Sequence, residues 1–457
     1  MRVTNSSGSA FKFTNGCNVN IRGIESITSG TEKPTIEAES DSTVNVMDCG
    51  TITATDAPAL KGTNAKFNVS NLDVLNANSG IAVLLKDSNA ILSNVYNVNA
   101  DTPVSMEGTC HVNINRITSL ATTGGDKVSF VGANTQFGSL TIQNMNLVDG
   151  SIHTHNMNVT LVNVGGVGQG IVFGSDSAKG TYRLKIDGPT VLDGTKSLDL
   201  IQSTAELRGV TLNAISTITD SVVTLDNSYS EQKLTIVDST VTGTRTTFRE
   251  IAPTTSHLTM YNSTIDKLTS DASSMIAYHS LVSGDVSGIN RSAAWLHNSK
   301  VSGSISMKTG SSLVGSAASL PGSATVNASF MGIYGGTYGT VTTSNKGLAL
   351  AFGSASGTID GRTSSSNVLS AKTDELDIYA DMLKFESVQD TVMIIGHDWL
   401  VTTTGNTTLK TTGNYSNTVT GSYHDSIGTS VLIQTGTSFT VTASGAVVIT
   451  GNPTVTI

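Results

Sequence analysis

Charge is scarce in this sequence: Asp, Glu, Lys and Arg make up 13% of its 457 residues and aromatic residues only 5%. Both values are low for a globular enzyme. The 26 Lys and Arg are outnumbered by 35 Asp and Glu, for a formal charge of -9. With no basic cluster to neutralise phosphates, nucleic acid is excluded as a partner. Three cysteines, Cys17, Cys49 and Cys110, are too few and too scattered for a disulfide framework or a zinc site, and they read as buried free thiols. No stretch approaches the roughly 18 apolar residues of a membrane span. The N-terminal MRVTNSSGSAF has no apolar signal segment, which leads us to expect a chain made in a cytoplasm or one that begins after processing. Walker, HExxH, GxSxG and dinucleotide motifs are all missing, so no cofactor is implied.

What is abundant points to β structure. There are 45 glycines against 7 prolines, and Ser, Thr, Asn and Val are frequent, a composition that favours strands and tight bends over helices. From about residue 40 to 305 a degenerate unit recurs: a short strand, a kink residue that is often Asn or Asp, and a second short strand. VNVMDCGTI (44 to 52), FNVSNLDVL (67 to 75), LTIQNMNLV (140 to 148), LKIDGPTVL (184 to 192), LTIVDSTVT (234 to 242) and LTMYNSTID (258 to 266) are examples. The kink carries Asp48, Asn71, Asn94, Asn144, Asn163, Asp187, Asp238, Asn262 and Asn298. Units recur at the length of one solenoid coil. Apolar residues such as Val69, Ile142 and Ile236 alternate with polar ones, which turns them inward. Asn and Asp tolerate the left-handed conformation of a sharp bend, and stacked Asn side chains can bond along the axis. The expected fold is therefore all-β, a right-handed parallel β-helix of a dozen or more coils over residues 1 to 305. Antiparallel sandwiches are the alternative, disfavoured by the scarcity of hairpin signals. Residues 306 to 369, rich in small side chains, read as thinner coils or a transition, and 370 to 390, with most of the clustered carboxylates, as an acidic neck.

The tail has another period. Gly405, Gly413, Gly421, Gly428 and Gly436 return about every eight residues. An octad is too short to close a coil in one chain, but three chains can complete the circuit together, each giving one short strand per layer. Residues 391 to 457 are therefore expected to form an intertwined trimeric β-helix. Its strand and turn positions are Gly413, Val419, Gly421, Ile427, Gly428, Ile433, Gly436, Val441, Ile449 and Gly451.

IIGHDWLVTTTGNTTLKTTGNYSNTVTGSY resembles the glycine-repeat needle of bacteriophage baseplate spikes and the related type VI secretion spikes. Val419-Thr420-Gly421 and Ile449-Thr450-Gly451 match that family's V-x-G pattern, whereas Ile427-Gly428 and Val441 to Gly445 depart from it. The resemblance covers about the last 65 residues. The body resembles β-helical tailspikes in architecture only. It implies a homotrimeric virion protein of a phage tail that meets other tail or baseplate proteins and a bacterial surface polysaccharide. A depolymerase tailspike, a cell-puncturing baseplate spike and a bacterial adhesin are the rival readings. The usual tailspike plan places a particle-binding domain before the β-helix, whereas here the solenoid pattern is present by Phe11. A virion partner or a symmetry-related contact over residues 1 to 25 is therefore expected.

Glycan cleavage would need paired carboxylates on the coils. Candidates are Asp73, Asp87, Asp101 and Glu107 in one run and Glu206, Asp220 and Asp226 in another, each read more simply as a solvated turn residue. His153 and His155 would lie on one side of a strand and could contribute to a shared metal site in a trimer, although an exposed loop is the plainer reading. Phe330, Tyr334, Tyr338 and Phe352 form the candidate glycan platform.

Overall fold

The computed structural model describes residues 1 to 352 and 358 to 360, apart from 31, 79, 123 to 127, 136 to 137, 148 to 149 and 176 to 180. These residues form 41 strands and no helix. Every strand pairing is parallel, as in Lys66↔Asn89 and Asn89↔His111, and the result is a solenoid of about 15 turns. The antiparallel alternative is thereby ruled out for the described residues. The acidic stretch 370 to 390 and the octads of 391 to 457 lie outside them.

Each coil has three faces. Face A and face B begin as the two halves of one long kinked strand, such as Lys66–Ala77, and face C is a shorter strand such as Ile81–Lys86. Alternation sets which way the side chains point. Phe67, Val69, Leu72 and Leu75 are buried in the lumen, while Asp73 between them is exposed. Val69, Ile142 and Ile236 are all turned inward as their pattern predicts. Asn68 and Asn71 bond residues 23 positions earlier in the chain, whereas from Ser239 onward the corner bonds span 17 to 19. The later coils are thinner, and face B shrinks from a four-residue half-strand to pairs such as Leu281–Val282. Residues 305 to 352 are further coils of the same stack.

Two of the three corners are made by a residue in the left-handed conformation, where Asn and Asp carry the smallest penalty. At the A/B corner these include Asp48 (φ 52), Asn71 (φ 55), Asn94 (φ 52), Asn144 (φ 56), Asn163 (φ 52), Asn262 (φ 49) and Asn298 (φ 46); Asp238 (φ 49) turns the C/A corner. Asp187 is the exception to the expected kink set. The turn falls instead on Gly188 (φ 120), an angle that suits a residue without Cβ. Neighbouring corners are linked along the axis. The Asn71 amide donates to Asp48 at 2.9 Å and the Asn94 amide to Asn71 at 3.2 Å. Arg116 (φ 63) takes the next corner, and the Asn ladder resumes with Asn144 and Asn163.

A second ladder runs inside the C/A corner. A corner residue's successor points inward, and from Ser203 it is a buried serine in coil after coil: Ser221, Ser239, Ser256, Ser273, Ser292, Ser311 and Ser329. The N–H of each donates to the next serine's Oγ, at 3.0 Å from Ser203 to Ser221, 2.9 Å from Ser221 to Ser239 and 3.1 Å from Ser239 to Ser256. The Oγ–H in turn points to a carbonyl two residues back, as from Ser239 to Val237 at 2.6 Å. The chain turns away from its strand here, so the backbone donor would otherwise be buried without an acceptor. A shorter ladder at the A/B corner uses Thr246, Ser263, Ser280 and Ser299.

Cys110 occupies a C/A ladder position in an early coil. The Ala65 N–H donates to Ser88 Oγ at 3.0 Å, the Ser88 N–H is directed to the Cys110 sulfur, and burial pushes the Cys110 thiol up. Cys49 is also buried, whereas Cys17 is exposed, contrary to its sequence reading as a buried thiol. Residue 17 lies in an exposed turn of the first coil, with its sulfur 2.8 Å from the Thr14 carbonyl. Phe11 and Phe13 of that coil stack with ring centroids 6.0 Å apart, packed against the core yet partly exposed.

Candidate functional site

The sequence-predicted carboxylates are distributed around the coil. Asp73 follows the A/B corner, and Asp101 lies between the strands Asn89–Ala100 of faces A and B and Thr102–Gly108 of face C. Asp87 turns the C/A corner and accepts the Thr109 N–H at 3.0 Å, while Glu107 faces Lys86 at 3.6 Å. In the second run Glu206 and Asp226 share face A on successive coils. Glu206 is engaged by Arg183, and Asp226 by Arg245 at 2.6 Å and Arg208 at 3.7 Å. Asp220 sits at the C/A corner. The second run is an exposed ion-pair ladder, of a kind that contributes little to stability.

A more buried ion pair lies on face C of the first coils. Glu37, 8% exposed, accepts Lys61 at 2.9 Å and Lys12 at 3.1 Å. Burial pushes its carboxyl up, but the two lysines outweigh it and hold the group below the usual range. A depressed folded-state pKa stabilises above the unfolded value, about 4.3, and that contribution is lost as the pH falls through the folded value. Glu37→Gln is therefore expected to lower the thermal resistance of the first coils at neutral pH and to blunt its loss in acid. Hydrogen exchange of residues 36 to 39 against pH reads this out; a variant with the parent's pH profile would remove Glu37 as the titrating group.

His153 and His155 alternate about buried Thr154 in the strand Ser151–His155, so both lie half-buried on the outer side of face C, and the reading of an exposed loop is corrected to a strand. Among the described residues no group of three or more His, Cys, Asp or Glu could hold a metal.

The aromatic platform is divided. Phe330 and Tyr334 flank Gly332 on the outside of face A, with ring atoms 3.0 and 3.3 Å from where a Gly332 Cβ would stand. Tyr338 belongs to face B, packs against the core and has its phenol pushed up by burial. The side chain of Phe352 lies outside the described residues.

Coil stacking adds aromatics that the sequence reading missed. Tyr261 and Tyr278 stack at 5.1 Å and 5° on adjacent face A strands, and Tyr278 meets His297 edge-on at 5.9 Å. Trp295, 56% exposed, lies in register between Ile276 and Val314. These residues are separated by a coil length in sequence and become neighbours only when HLTMY, SMIAY, AAWLH, SLVGS and FMGIY are aligned by coil. From Thr240–Thr244 onward, the face A strands carry no Asp, Glu, Lys or Arg. Beside this face, at the A/B corner, runs a shallow groove lined by Asn262, His279, Leu281, Asn298 and Lys300. No protein-family model matches the chain and no curated protein matches it, so its function has to be read from its fold and surface chemistry.

Proposed function

We propose that the chain is a structural protein of a bacteriophage tail, a homotrimeric spike or fibre that attaches the particle to a host surface polysaccharide. The supporting observation is the single parallel stack of about 15 turns, with runs of Asn and Ser bonded along its corners and followed in sequence by glycine octads that suit three chains. Such a body is a rod built from one repeated contact, and it resists unfolding and proteolysis because every internal coil is paired on both sides. Its crossovers are right-handed on this reading, as parallel connections almost always are. The mechanism is mechanical and adhesive: the rod presents a long regular surface, and no proton transfer or bond cleavage is required of it.

The test is the native mass of the full chain, with detection of the protein in purified particles. A mass near three times 47.3 kDa is expected, persisting in detergent at room temperature, and a chain ending at Gln389 should lose it. A monomeric full-length protein would overturn the trimer, and its absence from particles the virion assignment.

A further inference from the structure

We infer that face A of the later coils, around Tyr278, Trp295 and Tyr334, packs against a neighbouring copy of this chain, with the A/B corner turned toward a three-fold axis. This rests on the trimer proposed above.

The first observation is where charge stops. Arg183, Glu206 and Asp226 stand outward on earlier face A strands, but none of the face A strands from Thr240 carries Asp, Glu, Lys or Arg. The same coils keep charge on their other sides, with Asp285 between faces B and C, Arg291 at the C/A corner and Lys308 on face C. An uncharged face on which Ile276, Tyr278, Trp295, Val314 and Tyr334 stand outward among Ser and Thr is of the kind that marks a contact surface.

The second is ring orientation at Tyr261 and Tyr278, which favours a protein occupant there. A sugar platform needs an open ring face. Tyr261 and Tyr278 lie 5° from parallel and spend their facing surfaces on each other along the axis. They present edges outward, as in a packed protein interface.

The third is the taper of the A/B corner. Its turn residues run Arg245, Asn262, His279, Asn298, Ala317 and Gly335 along the chain. The side chains shrink to nothing as residues 391 to 457 are approached in sequence, so backbones of separate copies can come close there. A three-fold contact is heterologous, so face A must meet a different surface of the next copy. Across the A/B corner that surface is face B with the groove at Leu281, Asn298 and Lys300. Five strands of five residues cover roughly 17 Å by 24 Å, about half of the 800 Å² that each partner of a stable complex buries. The face is thus too small to hold copies together alone, and it suits chains already tethered by a trimeric tail.

Ala317 (φ 50) and Ala328 (φ 47) are exposed left-handed turns on successive corners, A/B and C/A, and so make a matched pair. In full-length protein carrying Cys17→Ser, Ala317→Cys and Ala328→Cys are made separately and treated with a short bifunctional maleimide. Ala317→Cys is expected to shift up to two thirds of its chains into a dimer band on a denaturing gel, the most that a bifunctional reagent can link among three single thiols, and Ala328→Cys to stay monomeric. A trimeric native mass with Ala317→Cys uncrosslinked, or with Ala328→Cys crosslinked instead, would overturn this orientation while leaving the trimer standing. A monomeric native mass would remove both.

Discussion

Ile236→Asp is expected to yield no folded protein. Ile236 is fully buried in the lumen, in register with Ile218 in the coil before and Pro253 in the coil after. An aspartate there has no cation within the core, and an unpaired buried carboxylate costs several kcal/mol even after relaxation. That is comparable with the whole stability of an ordinary domain, about 5 to 15 kcal/mol. A solenoid makes the loss worse in one respect, because each coil is the template for the next and a broken coil uncouples the stack on either side. Thr235→Asp, one residue away but facing outward on the same strand, is the control and should change stability by about 0.5 kcal/mol or less. Soluble yield and far-ultraviolet circular dichroism of the two variants decide it. If Ile236→Asp folds with the parent's thermal resistance, the assignment of lumen and surface is wrong.

Much of the body was legible because a solenoid converts sequence alternation directly into inside and outside. Apolar alternation in the strand units marked Val69, Ile142 and Ile236 as core, and the Asn and Asp between strands marked corners, because few other residues accept a left-handed turn. Asp187 misled for the same reason: it stands beside a glycine that takes the turn more cheaply. The serine ladder was missed although its signal is present. DSTV, TSHL, ASSM, RSAA and GSSL each place a serine directly after the corner, but a lone serine in a bend ordinarily reads as solvated, and only stacking reveals the buried N–H that each one accepts. The aromatic column of face A escaped notice because its members lie a coil apart, whereas Phe330, Tyr334 and Tyr338 drew attention by being near in sequence. Tyr338 shows why nearness misleads: the corner at Gly335 carries it onto another face. The carboxylates could not be paired from sequence because a drifting coil length leaves open which of them share a face.

The serine ladder carries the second large effect. Ser256 Oγ accepts the Ser239 N–H at 3.1 Å and is also 2.6 Å from the Thr254 carbonyl, and both serines are at most 2% exposed. Ser256→Ala would remove the acceptor without making room for water, leaving a buried donor unmet at a cost of about 1 to 3 kcal/mol. Ser256→Cys should recover part of this, because Cys110 already fills such a position, with its sulfur 3.2 Å from the Glu107 carbonyl. Asn71→Ala gives the contrasting case: its ladder bond is exposed and water can replace it, so about 1 kcal/mol is the most it should cost, much of that from the left-handed turn. A long repeat stack need not unfold in one step, so a melting temperature is the wrong measure. Local hydrogen exchange reads the opening of single coils. The Ser239 amide and its neighbours are expected to exchange about tenfold to a hundredfold faster in Ser256→Ala, and less so in Ser256→Cys. Unchanged exchange in the alanine variant would mean that strand pairing alone holds the corner. An equal acceleration in both variants would mean that packing volume, rather than the acceptor, is what Ser256 supplies.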